Sequence, residues 1–204
     1  MCVIIAKAKN VNAPTISEIK KALNTNPDGS AIVWAHDGKL ETFKTLDSKE
    51  MINYYTTHFV ELNRYAFVFH ARIATHGSKN IKNCHGWPTL GGHAAFFHNG
   101  ILSIRARGDM TDNETFLRDI YEPIALKSGH KKAVKAINAI IGGSKFAFIS
   151  DEGVIKLYGH YIEQNGIHYS NLNHRWEKPE RHASYIDYWE RFTTKNSPLF
   201  PDEF

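Results

Sequence analysis

Four apolar residues, Val3-Ile4-Ile5-Ala6, begin two positions from the chain start, and they constrain the fold before anything else does. A short apolar run of this kind reads as a buried strand. The N-terminus is then held rigidly in the core instead of fraying. Directly before the run stands Cys2, small enough behind Met1 for methionine aminopeptidase to expose it. Removal of Met1 would leave a thiol and a free α-amine on one residue. That is a compact catalytic unit: the thiolate attacks a carbonyl, and an amine with a pKa of about 7.7–8.0 carries the proton near neutral pH.

The chain has 204 residues, 42% hydrophobic and 23% charged, which suits one globular domain with a sizeable core. Its formal charge of +4 comes from 25 Lys and Arg against 21 Asp and Glu with no block of like charges. This pattern argues for neither a nucleic-acid nor a membrane partner. Two cysteines, no apolar segment of a signal peptide and no apolar run of the ~18 residues a membrane span needs point to a reducing compartment and a cytoplasmic enzyme. Two free thiols are expected in such a compartment, and a Cys2–Cys84 disulfide would also consume the proposed nucleophile.

Along the chain, Thr15-Ile16-Ser17-Glu18 is a capping box opening a helix with Ile16, Ile19 and Leu23 on its apolar stripe, closed by a turn at 24–29. Residues 30–35 and 40–45 read as a hairpin joined by Asp37-Gly38. Asp47 caps a helix through about Phe59, and the run Tyr65-Ala66-Phe67-Val68-Phe69 is a central strand whose end delivers His70, Arg72, Thr75 and His76 into a loop. Residues 78–92 read as irregular, 93–97 as a strand, and His98-Asn99-Gly100 as a turn. A second capping box, Thr111-Asp112-Asn113-Glu114, opens a helix through Leu126, and a further helix covers 131–141. Strands at 144–150, 154–159 and 167–170 follow. Residues 171–204 are polar and aromatic, an ordered tail or docking segment after a domain spanning 1–170. Strands, then helices, then strands again predict an α+β arrangement of two mainly antiparallel sheets with helices outside.

Taken together, Cys2, the run His70-Ala71-Arg72-Ile73-Ala74-Thr75-His76-Gly77, Asn83-Cys84-His85, His98-Asn99-Gly100 and Thr111-Asp112-Asn113-Glu114 resemble, in order and spacing, the class II glutamine amidotransferase domain. Asn26-Pro27-Asp28-Gly29-Ser30 also resembles that family's loop before the second strand, without the arginine often found nearby, and Ile73 stands where a tryptophan is common. The resemblance covers roughly residues 2 to 170. It implies an N-terminal nucleophile hydrolase fold, a four-layer αββα sandwich, and hydrolysis of the glutamine side-chain amide without a cofactor. Cys2 is then the nucleophile, and the Asn99 side chain and Gly100 amide are the oxyanion donors. Arg72, helped by Thr75, His76 and Gly77, would hold the α-carboxylate of L-glutamine, its planar fork matching two oxygens. Asp112 would hold the α-ammonium, and Glu114 pairs with Thr111 in the capping box.

Each assignment has a plainer counterpart. Asn-Gly is a strong hairpin dipeptide, and a carboxylate such as Asp112 is favoured in a first helical turn whatever the function. His70, His76, His85, His93 and His98 lie near Cys84, which raises a zinc site, but they lack compact ligand spacing and fit better at strand ends. About 35 residues after Ser170 cannot make a synthase domain, so the ammonia would pass to a separate synthase partner. A stand-alone amidase on a related γ-glutamyl amide, or a catalytically silent binding module, are the alternatives.

Overall fold

A computed structural model describes residues 1–74, 79–108 and 110–175. Six strands, β1 Val3–Lys7, β2 Ser30–His36, β3 Lys39–Thr45, β4 Phe67–Ala71, β9 Ile162–Gln164 and β10 Ile167–Tyr169, form one sheet in the order β3-β2-β4-β1-β10-β9. The second sheet, in the order β5-β6-β7-β8, contains β5 Trp87–Thr89, β6 Ala94–Asn99, β7 Lys145–Ser150 and β8 Ile155–Tyr158. Every pairing is antiparallel.

The period-two alternation of each strand divides its side chains between two apolar layers. In β1, Val3 and Ile5 face α1 Ile16–Thr25, α2 Ser48–Thr57 and α3 Phe59–Arg64, packing with Ile19, Leu23, Met51, Tyr55 and Leu62. Ile4 and Ala6 face the second sheet, joining Val33, Val68, Phe97, Ala147 and Ile149 between the sheets. On the far side of the second sheet, Phe96, Phe146 and Phe148 pack against Phe116, Leu117, Tyr121, Ala133 and Ile137. These last five residues come from a helical stretch, α4 Asp112–Thr115, a π-helical segment Phe116–Tyr121 and α5 Glu122–Ser128, and from α6 His130–Ile140. The architecture is therefore the αββα sandwich, and the chain begins on a strand buried on both faces.

Local chemistry explains the element starts. The side chains of Thr15, Asp47 and Thr111 accept the amides of Glu18, Lys49 and Glu114 at 3.2, 2.7 and 3.3 Å, capping α1, α2 and α4. Asp37 and Gly38, with φ of 47° and 72°, turn the β2–β3 hairpin in the left-handed region that a type I′ turn needs.

The structure corrects the sequence reading in four places. The helix expected to end near Phe59 ends at Thr57, and a separate α3 runs to Arg64. The segment read as irregular contains β5 between two 3-10 turns, Ile81–Asn83 and Leu90–Gly92; three residues are too few to show alternation. β9 was not expected, although Asn165-Gly166, with φ of 52° and 78°, is the turn that joins it to β10. The turn at His98-Asn99-Gly100 is replaced by strand: β6 continues through Asn99, which pairs with Lys145 of β7. Residues 171–175 continue from β10 through the 3-10 turn Asn173–Arg175, and the rest of the expected tail lies outside the described residues. Among the described residues no helix is long and apolar enough to cross a membrane.

Candidate active site

Cys2 directly precedes β1, a strand in the interior of the six-stranded sheet, and the alternation that turns Ile4 and Ala6 toward the second sheet, carried back two residues, turns Cys2 the same way. Its Sγ lies 3.6 Å from the Ile73 carbonyl oxygen, and its own carbonyl accepts the Asn171 side-chain amide at 2.7 Å. Burial pushes the thiol pKa up, while the positive charges of the chain terminus and Arg72 pull the other way. Both cysteines are free, Cys2 partly exposed and Cys84 buried.

Asn99 closes β6 on the face shared with Ala95 and Phe97, toward the first sheet. Its Nδ2 donates to Ser170 Oγ at 2.8 Å, and the same oxygen accepts the Ile4 amide at 2.8 Å. A hydrogen-bonded tie thus crosses from the second sheet to β1, two residues from Cys2. An amide nitrogen has two protons, so one N–H of Asn99 remains for another acceptor. Gly100 follows with φ of +147°, and a Cβ built on it would lie 2.8 Å from Ser144 Cβ and 2.9 Å from Ser144 Cα. Only glycine lets the backbone amide sit so close to that neighbouring strand end.

Arg72 is 5% exposed and stands just past β4. Its backbone is fixed to the loop before β2: Arg72 N donates to Gly29 O at 2.8 Å, and Asp28 N donates to Arg72 O at 2.9 Å. The Asp28 carboxylate also accepts the Ala74 amide at 2.9 Å and pairs with Lys79. Lys79 and that amide hold the Asp28 carboxyl below its usual range, with Arg72 adding to the effect. Sequence reasoning had singled out this loop but assigned Asp28 no role; an Asp beside Gly29 gave no sign that it would brace the arginine segment. Asp112 is the first residue of α4, and its Oδ2 accepts the Leu102 amide at 2.7 Å. The three other expected substrate contacts, Thr75, His76 and Gly77, lie outside the described residues.

Three of the five singled-out histidines come together. His70 stacks on His85 with ring centroids 4.2 Å apart and planes 8° from parallel. The His98 amide donates to His85 Nδ1 at 3.1 Å, which puts the ring proton of neutral His85 on Nε2. The Asn113 side-chain amide lies 3.3 Å from that Nε2 and 3.0 Å from His98 Nδ1, and its oxygen is the end that suits a protonated Nε2. Burial takes His70 and His98 down to about 3 and His85 well below the ordinary range, so all three rings are neutral near pH 7. His93 stands apart, exposed and 2.7 Å from Asp151. Among the described residues no three His, Cys, Asp or Glu side chains are grouped to hold a metal.

No family model matches the chain, and no curated protein matches it. Solved structures do. The chain resembles glutamine phosphoribosylpyrophosphate amidotransferase from B. subtilis with a TM-score of 0.54 and 16% identity, covering 83% of this chain and 41% of that one. It also resembles the allosteric regulatory enzyme of purine biosynthesis, with a TM-score of 0.51, 18% identity and coverage of 74% and 36%. The chain spans about two fifths of the length of these enzymes. At such identities the likeness is one of fold, and the chain carries the two-sheet αββα sandwich fold that it shares with parts of these two enzymes.

Proposed function

We propose that residues 1–170 form a glutaminase component, which hydrolyses the side-chain amide of L-glutamine through Cys2 once Met1 has been removed. The Met1 side chain is exposed, which suits aminopeptidase access. The observation that carries the reading is the Asn99–Ser170–Ile4 tie, which fixes a candidate oxyanion donor of one sheet to the strand directly after Cys2 on the other.

In the proposed reaction the Cys2 α-amine takes the thiol proton and the sulfur attacks the amide carbonyl. The remaining Asn99 N–H and the Gly100 amide meet the oxyanion, a type of contact worth on the order of 10²–10³ in rate per donor. Collapse of the tetrahedral intermediate breaks the C–N bond, and the α-ammonium returns its proton to the departing nitrogen, which leaves as ammonia. Water then attacks the Cys2 thioester, with the amine again as base, giving glutamate and the free thiol. Arg72 pairs with the substrate α-carboxylate, and Asp112 with the α-ammonium. Thr75, His76 and Gly77 are proposed to complete the carboxylate pocket.

Ammonia is reactive and has no use at the site that forms it, so we place its acceptor on a separate synthase in the cytoplasm, with residues 171–204 as the docking segment. The deciding experiment is glutamate release from glutamine by protein whose intact mass shows loss of Met1, compared with Cys2→Ala. Wild-type turnover with none in Cys2→Ala is expected. Equal rates would remove Cys2 from the chemistry, and turnover of another γ-glutamyl amide in preference to glutamine would reassign the substrate.

A further inference from the structure

Ser170 is 3% exposed and lies just past β10, where no motif had marked it. Its hydroxyl oxygen has two lone pairs, and both are filled by N–H donors from different sheets: the Ile4 amide and Asn99 Nδ2, each at 2.8 Å. Its own amide donates to the Ile4 carbonyl at 2.9 Å, so the residue is locked to β1 at both ends. The next residue, Asn171, holds the Cys2 carbonyl at 2.7 Å.

On the Asn99 side the picture is one-sided. Asn99 is 2% exposed and its Oδ1 has no partner among the described residues, so the bond to Ser170 is the polar contact that orients this amide. The terminal torsion of an asparagine is broad. An amide turned over would aim its oxygen, instead of an N–H, at any negative charge forming beside Cys2.

We propose that Ser170 is a positioning residue, which acts through Asn99 by holding one side-chain N–H so that the other faces the oxyanion formed at Cys2. This rests on the glutaminase reading for its rate consequence, but the geometric claim stands apart from it. Asn171, bonded to the Cys2 carbonyl, sets the height of the nucleophile on the same clamp.

Two measurements test it. In the first, Ser170→Ala, Asn99→Ala and the double variant are compared in glutamate release. Ser170→Ala is expected to lower kcat by about 10–100-fold, as misplacement of about 1 Å can, with KM within about twofold of wild type because the Ser170 hydroxyl bonds to Ile4 and Asn99, neither of which is proposed to hold the substrate's α-carboxylate or α-ammonium. In the Asn99→Ala background the same substitution should cost nothing further. A loss that carries over undiminished into the double variant would overturn the proposal.

The second needs no variant and no activity: hydrogen exchange of the two Asn99 side-chain amide protons in the wild-type protein, followed by NMR. One proton should exchange at least about tenfold more slowly than the other. Equally fast exchange of both would overturn the proposal even if the enzyme turns over. Protection without any glutamate release would sink the glutaminase reading and leave the clamp standing.

Discussion

Acid should unfold this protein through three histidines, and the size of the effect follows from their burial. His70 and His98 are 0% exposed and His85 is 5% exposed, with His70 and His98 held near a pKa of 3 and His85 well below the ordinary range, mainly by burial. An unfolded histidine titrates near pH 6.5. The folded values are depressed, so the stabilisation of the neutral rings is fully present above about pH 6.5 and is lost as pH falls toward 3. At pH 5 the unfolded state gains about 2 kcal/mol from each protonated ring, about 6 kcal/mol for three, and this sum is insensitive to the folded values provided that they stay below 5. A whole domain is typically stable by about 5–15 kcal/mol. Glu18 does not confuse this window: burial raises its pKa, but hydrogen bonds from His174 and Arg175 outweigh that and bring it to about 2, so its contribution disappears only below about pH 4.5. Urea unfolding followed by tryptophan fluorescence at pH 7, 6 and 5 should show a loss of about 6 kcal/mol across the range. A slope between pH 6 and 5 below about 1.4 kcal/mol per unit, the value for a single proton, would refute the picture of three buried neutral rings.

Other substitutions probe separate parts of the structure. Gly100→Ala places a side chain at φ of +147° against the Ser144 backbone; strain of about 1–3 kcal/mol should lower the melting temperature, and the displaced amide should cut glutamate release by at least about 100-fold. Asn99→Ala should lose about 10²–10³ in kcat, whereas Arg72→Ala or Asp112→Ala should chiefly raise KM for glutamine in the same assay. Lys7 is fully buried, and its Nζ donates to the carbonyls of Leu62, Asn63 and Tyr65 at 2.8–2.9 Å. Lys7→Met strips all three acceptors and should cost about 3 kcal/mol or more in urea unfolding.

Much of the architecture was legible because it rests on local chemistry. Thr15, Asp47 and Thr111 each cap a helix where the sequence placed a cap, and Asp37-Gly38 makes its hairpin. What escaped was set by tertiary pairing. The three residues of β5 become a strand only because β6 lies beside them, and no periodicity can be read from Trp87-Pro88-Thr89. Lys7 extends the apolar run of β1 as a charged residue, and its burial is intelligible only once the carbonyls at the C-terminal end of α3 converge on it.

The Asn99-Gly100 pair shows how the same limit acts at the candidate site. As a dipeptide it signals a two-residue hairpin, which would need β6 and its partner strand to be neighbours in sequence. β6 pairs instead with β7, after the helices that lie between residues 112 and 140, so the dipeptide has no hairpin to close. Asn99 stays in the strand and aims across to Ser170, and Gly100, at a positive φ, lies so close to Ser144 that no side chain would fit there. Both features that suit an oxyanion donor therefore arise from contacts more than forty positions away in the chain, with Ser144 and Ser170. Neither serine belongs to a recognisable motif, so a sequence reading could nominate Asn99-Gly100 as a candidate donor pair without finding what holds it. If these contacts are what make the pair functional, transplanting His98-Asn99-Gly100 into another strand end would carry no oxyanion hole with it. Restoring activity to a damaged site should likewise depend on the two serines as much as on the motif.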